Sequence, residues 1–105
     1  KYIIQKLLKL RIFNDDNDKM NLSIQDIDGE IMLVSQFTLC GNTTKGNRPS
    51  YIKAMDANLA KALYNDLIND FKNYYKKIKT GTFQTEMDIN LVNDGPVTLI
   101  LRSNN

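Results

Sequence analysis

Residues 30–40 read EIMLVSQFTLC, and the fold depends on how that stretch is read. Ile31 to Val34 is continuously apolar, and after Ser35 and Gln36 the apolar character resumes with Phe37, Leu39 and Cys40. Such a run predicts a central strand buried on both faces. Gly41 and Asn42 end it, and GNTTKGNRPSYIKAM (41–55) has the composition of a loop. Beyond the loop, between Asp56 and Thr80, apolar residues fall at 60, 63, 64, 67, 68, 71, 75 and 78. That three/four spacing predicts one long amphipathic helix, with Asp56 as its cap and Gly81 just past its end.

Working outward, Ile3, Ile4, Leu7 and Leu8 share one helical face, so residues 1–9 are expected to be a helix. LRIF (10–13) is a short strand candidate, closed by the acidic turn NDDND (14–18). KMNLSIQDIDGE (19–30) alternates at Leu22, Ile24 and Ile27 and turns at Asp28-Gly29. Downstream, TEMDINLV (85–92) sets Met87, Ile89 and Leu91 against Glu86, Asp88 and Asn90, the pattern of a half-buried strand. VTLILR (97–102) predicts a further, more fully apolar strand. Between them, Asn93-Asp94-Gly95-Pro96 is a turn in which proline can give a sheet no N–H.

The 105 residues are 42% hydrophobic and 25% charged, which suits one globular domain with a small core. No apolar run approaches the ~20 residues of a membrane span, and the chain opens without a signal-peptide pattern. A single cysteine, Cys40, fits a reducing compartment, so a cytoplasmic location and no membrane partner are expected. Its most economical role is a buried structural thiol. Histidine is absent, which excludes Ser-His and Cys-His nucleophile pairs and histidine-ligated zinc. Asp15, Asp16 and Asp18 lack the glycine and closing glutamate of a calcium loop and read as a solvated turn. The net charge is only +2, yet residues 31–55 hold Lys45, Arg48 and Lys53 without an acid. Residues 71–85 hold Lys72, Lys76, Lys77 and Lys79, again without one. Both segments could face a phosphate backbone, but taken alone solvated lysines are the better reading of each, the second group being favoured by a helix C-terminus.

Polar side chains at the end of a buried strand require a reason. Ser35, Gln36 and Thr38 could each satisfy backbone groups where the sheet ends, but together, before a basic loop, they suggest a site. No histidine can activate the Thr38 hydroxyl, and Thr38 is not an N-terminal threonine. Hydrolysis here would rest on backbone N–H groups and on the substrate's own groups. Phe83 and Met87 read first as core residues, Met87 in the inward phase of its strand.

VSQFTL (34–39), KGNRPSY (45–51), TGTF (80–83) and NDGPVT (93–98), in this order, closely resemble the D-aminoacyl-tRNA deacylase, or D-Tyr-tRNA(Tyr) deacylase, family. RIF (11–13) and KMNLSI (19–24) extend the likeness over nearly the whole chain. The resemblance implies an α/β fold, a layered β/α/β domain with a mixed sheet, of which residues 1–105 form the C-terminal part. The family's N-terminal strands, with a Gln-Arg-Val segment, have no counterpart here. It further implies a homodimer with its active site at the interface, hydrolysing the ester of D-aminoacyl-tRNA with no metal or cofactor. On it, Gln36, Phe37 and Thr38 are catalytic, and Ser35, Leu39, Phe83 and Met87 bind substrate. Gly95, Pro96, Val97 and Thr98 form a chirality gate with a cis Gly-Pro bond, and Lys45, Arg48 and Lys53 contact tRNA. The expected mechanism has the ribose 2′-hydroxyl assisting water, with Thr38 as covalent nucleophile the minority alternative. A tRNA- or DNA-binding module without hydrolysis is the rival reading, and a dimerising structural domain is a third.

Overall fold

The computed structural model describes residues 2–103. Its order of elements is helix α1 (Tyr2–Lys9), strands β1 (Phe13–Asn14), β2 (Met20–Leu22) and β3 (Ile31–Leu33), helix α2 (Ala57–Tyr74) and strand β4 (Ile78–Thr80). A single turn of 3-10 helix, Phe37–Cys40, lies between β3 and α2. The chain is thus an α/β protein. It gathers into two compact units, one running up to Ile31 and resuming from Glu86, the other Met32–Thr85.

In the first unit, Ile4 and Leu8 lie one helical turn apart on α1 and are its buried side chains, with Ile3 and Leu7 half-buried beside them. β1 and β2 form an antiparallel pair in which Phe13 faces Leu22 and Asn14 faces Met20, with a bulge between Phe13 and Asn14. The acidic turn between them is organised by Asp15, whose carboxylate accepts the N–H groups of Asn17 at 2.9 Å and Lys19 at 3.0 Å. The Lys19 N–H in particular holds the Asp15 carboxyl below its ordinary pKa. After β2, Ser23 and Asp26 grip each other's backbone. The Ser23 N–H donates to the Asp26 carboxylate at 2.8 Å and the Asp26 N–H to the Ser23 hydroxyl at 3.2 Å. This is the reciprocal arrangement of a capping box, and it fixes the turn that leads into β3.

The second unit is centred on α2. The Asp56 carboxylate accepts from the Asn58 and Leu59 N–H groups at 3.1 and 3.4 Å, capping the helix as its sequence predicts. Tyr64 and Phe71 are its buried side chains, with Ala60, Leu67 and Ile68 partly covered on the same side. β3 and β4 pair with each other, and the Gly81 N–H extends the pairing to the Leu33 carbonyl at 2.9 Å. The Tyr64 hydroxyl lies 3.1 Å from both the Leu33 and Gly81 carbonyls, tying α2 to the ends of β3 and β4.

Several expectations are corrected. The strand expected across residues 30–40 stops at Leu33, and Met32 and Val34 are exposed rather than sandwiched. Extended Gln36 instead redirects the chain into the 3-10 turn. The long helix ends at Tyr74, where Tyr75 becomes extended while its N–H still reaches Phe71. Tyr75 and Ile78 continue the helical spacing but lie in extended backbone and in β4, where aromatic and β-branched side chains are equally at home. Residues 85–92 and 97–102 form no ladder among the described residues, so Met87, Ile89, Leu91 and Leu99 remain exposed. Alternation marks the face a strand would bury, but a strand also requires a neighbour.

Candidate functional site

Ser35–Leu39 leaves β3 directly after Leu33, so the polar segment is anchored where the Gly81 N–H and the Tyr64 hydroxyl grip the Leu33 carbonyl. Ser35 is half-buried, while Gln36, Phe37, Thr38 and Leu39 are exposed. The 3-10 turn is closed by the Gly41 N–H donating to the Thr38 carbonyl at 3.0 Å. Gly41 has no room for a side chain, since a Cβ there would lie 2.9 Å from both the Thr38 carbonyl oxygen and the Tyr51 ring. Tyr51 in turn packs edge-on against Phe37, with ring centroids 5.1 Å apart, which fixes the turn from its outer side.

Gln36 makes no side-chain cap to this turn. Its Nε2 donates instead to the Thr38 hydroxyl at 2.6 Å. Two consequences follow from elementary hydrogen bonding. The hydroxyl, accepting from an amide, keeps its own hydrogen to donate outward and gains no base to remove it. The leading N–H groups of the turn, Phe37 and Thr38, have no intrahelical acceptor, as at any helix start. Both residues are exposed, and backbone N–H groups at the start of a turn are the kind of donor that a developing oxyanion needs.

The basic loop that follows is exposed and internally braced. Asn42 and Ser50 exchange backbone hydrogen bonds of 2.7 and 2.9 Å, and the Asn42 side chain accepts from the Thr44 N–H and hydroxyl. Gly46, at φ +66°, makes the bend between them. Lys45 and Arg48 stand in solvent on this frame, and Lys53, just beyond it, is exposed as well.

Phe83 is half-buried, its ring 5.7 Å from that of Tyr64, so it shares a unit with Ser35–Leu39 and with the loop. Met87 and Gly95–Thr98 belong to the other unit and are exposed. The core reading of Met87 is thereby corrected. So is that of Cys40, which is exposed because it ends a surface turn instead of a buried strand. The Gly95–Pro96 peptide is cis, and Gly95 adopts φ +110°, a conformation suited to glycine. Sequence reasoning missed the Gln36–Thr38 bond and the Phe37–Tyr51 pair. The first was available as a Gln-x-Thr spacing beyond a strand end, while the second joins positions too far apart for local pattern to reveal.

These features define a class first: an α/β protein presenting an exposed donor-rich turn beside a basic loop. Residues 1–102 match the family described as D-Tyr-tRNA(Tyr) deacylase. A D-aminoacyl-tRNA deacylase of Thermosipho africanus is 53% identical over 103 residues, 98% of this chain and 69% of the relative. One of Flavobacterium johnsoniae is 50% identical over 105 residues, 99% of this chain and 70% of the relative. Among solved structures, the c-Myc DNA Unwinding Element Binding Protein is similar with a TM-score of 0.87 and 38% identity, over 97% of this chain and 70% of that one. The chain belongs to the D-Tyr-tRNA(Tyr) deacylase family.

Proposed function

We propose that this protein hydrolyses the ester bond of D-aminoacyl-tRNA, releasing the free D-amino acid and tRNA. Relatives bearing that activity in their names match 97–99% of the chain at 46–53% identity. The observation that carries the chemistry is the Gln36-to-Thr38 hydrogen bond at the start of an exposed turn. Water attacks the ester carbonyl, and the tetrahedral oxyanion takes hydrogen bonds from the Phe37 and Thr38 N–H groups. Collapse of the intermediate breaks the bond to the ribose oxygen, which leaves with a proton. With no histidine in the chain, the 2′-hydroxyl of the same ribose is the nearest group to relay that proton. Thr38, held as an acceptor by Gln36, positions substrate through its free hydrogen and does not attack.

Ser35, Leu39, Phe83 and Met87 are assigned to substrate binding, and Lys45, Arg48 and Lys53 to tRNA phosphates. Gly95, Pro96, Val97 and Thr98 are assigned to the gate that rejects L-amino acids, acting from one protomer of a homodimer in its partner's site. These assignments rest on the family resemblance and, for all but the half-buried Ser35 and Phe83, on exposure to solvent. A second reading, nucleic-acid binding without hydrolysis, draws on the name of the similar solved structure. Release of labelled amino acid from matched D- and L-aminoacyl-tRNA decides between them. Selective D-ester turnover is expected, whereas binding without turnover would leave the second reading standing.

A further inference from the structure

Charge is divided unevenly between the two units. Residues 32–85 hold eight lysine or arginine side chains against three aspartates, a net of +5, and the remainder holds six against nine, a net of −3. Beyond Lys45, Arg48 and Lys53, four of the eight are grouped. Lys72 lies in the last turn of α2, Lys76 and Lys77 in the link between α2 and β4, and Lys79 on β4, all exposed. The helix dipole accounts for Lys72, but its influence ends within the last turn. An edge strand accounts for Lys79. Neither explains Lys76, nor fifteen residues (71–85) without an acid when α2 itself carries Asp66 and Asp70. Tyr74, 42% exposed, stands among them. β4 runs on into Gly81, which is bonded to Leu33, and Leu33 leads into Ser35–Leu39. The lysine segment and the candidate site are therefore mounted on the same two paired strands.

We infer that Lys72–Lys79 is a second RNA-binding surface, gripping backbone phosphates of the tRNA away from the esterified end held at Ser35–Leu39. The inference rests on the deacylase reading of that site. Lysines serve here as point charges that hold the duplex without reading its sequence, while Tyr74 offers a face to a ribose or an unpaired base. An anionic membrane would attract the same lysines, but the segment exposes no aliphatic side chain for insertion, Ile78 being partly covered.

The test compares wild type with a Lys72→Gln/Lys76→Gln variant on two esters, D-tyrosyl-tRNA and D-tyrosyl-adenosine, across a salt series. On tRNA, the variant is expected to lose roughly ten- to a hundredfold in kcat/KM at ~50 mM salt. Its log–log salt slope should be shallower by roughly 1.4–1.8, from about 0.7–0.9 per phosphate contact. On D-tyrosyl-adenosine it should match wild type. An unchanged slope and rate on tRNA would overturn the inference, and so would an equal loss on both esters, which would indicate a damaged site. Loss of binding to phosphatidylserine vesicles with tRNA kinetics intact would also overturn it, assigning the surface to lipid. If wild type turns over neither ester, the deacylase reading fails. The salt slope of uncharged tRNA binding, measured on the same two proteins, then decides the surface independently.

Discussion

At the scale of single residues, the site is governed by one hydrogen bond and one missing side chain. The Gln36 amide donates to the Thr38 hydroxyl at 2.6 Å, which leaves that oxygen oriented but not activated. Thr38→Ala is therefore expected to lower kcat by no more than roughly a hundredfold, in the range of one lost positioning contact. Removal of a true nucleophile costs about 10⁶-fold, so a loss of that order, or a trapped acyl-Thr38, would sink the water mechanism. Gly41 is set by space: a Cβ would press against the Thr38 carbonyl and the Tyr51 ring at 2.9 Å. Since the carbonyl is backbone and cannot yield cheaply, Gly41→Ala is expected to displace the Phe37–Cys40 turn and the Phe37–Tyr51 contact together. The expected readout is a fall in kcat with thermal stability lowered by about 1–3 kcal/mol. Wild-type kinetics in that variant would show that the turn geometry is not what catalysis needs.

At the scale of elements, the clearest signals were those in which local chemistry and packing agree. The α2 start was legible because Asp56 caps it and the apolar spacing begins immediately afterwards. Its end was not, because Tyr75 and Ile78 satisfy a helical period while lying in an extended cap and a strand. Likewise Met87, Ile89 and Leu91 alternate correctly, yet alternation is silent about whether a neighbour exists to pair with. Ser35–Thr38 was legible as polar residues interrupting an apolar run, whereas Met87 and the Gly95–Thr98 turn acquired roles only through resemblance. The Ser23–Asp26 box was readable but overlooked, masked by the alternation around it. It carries a pH prediction. Ser23 N–H and hydroxyl bonding hold the Asp26 carboxyl below its ordinary pKa. A depressed carboxylate contributes stability that is present above its unfolded pKa and is lost as pH falls through its folded value. Asp26→Asn is thus expected to unfold at lower temperature than wild type near neutrality, with the gap closing as pH drops into the acid range. A gap that widens on acidification would contradict the assignment.

At the scale of the whole molecule, the unexplained surface is apolar. Leu91, Val92 and Ile100 are 70%, 91% and 78% exposed, and they flank the cis Gly95–Pro96 turn in sequence. Aliphatic side chains exposed to this degree are the kind that an interface covers. The proposed homodimer would supply that cover, since a gate acting in a partner's site would require its flanking segments to lie at the interface. A charge introduced there would be stranded without a counter-ion, at a cost of about 3 kcal/mol, or about a hundredfold in the dissociation constant. Val92→Asp is therefore expected to shift the protein from dimer to monomer in sedimentation runs over a concentration series. If the site is shared between protomers as proposed, its kcat/KM on D-aminoacyl-tRNA should recover as concentration rises, because only assembly has been weakened. A wild type that sediments as a monomer at concentrations where it is fully active would remove the partner's gate from the mechanism. Discrimination between D- and L-esters would then have to arise within one chain.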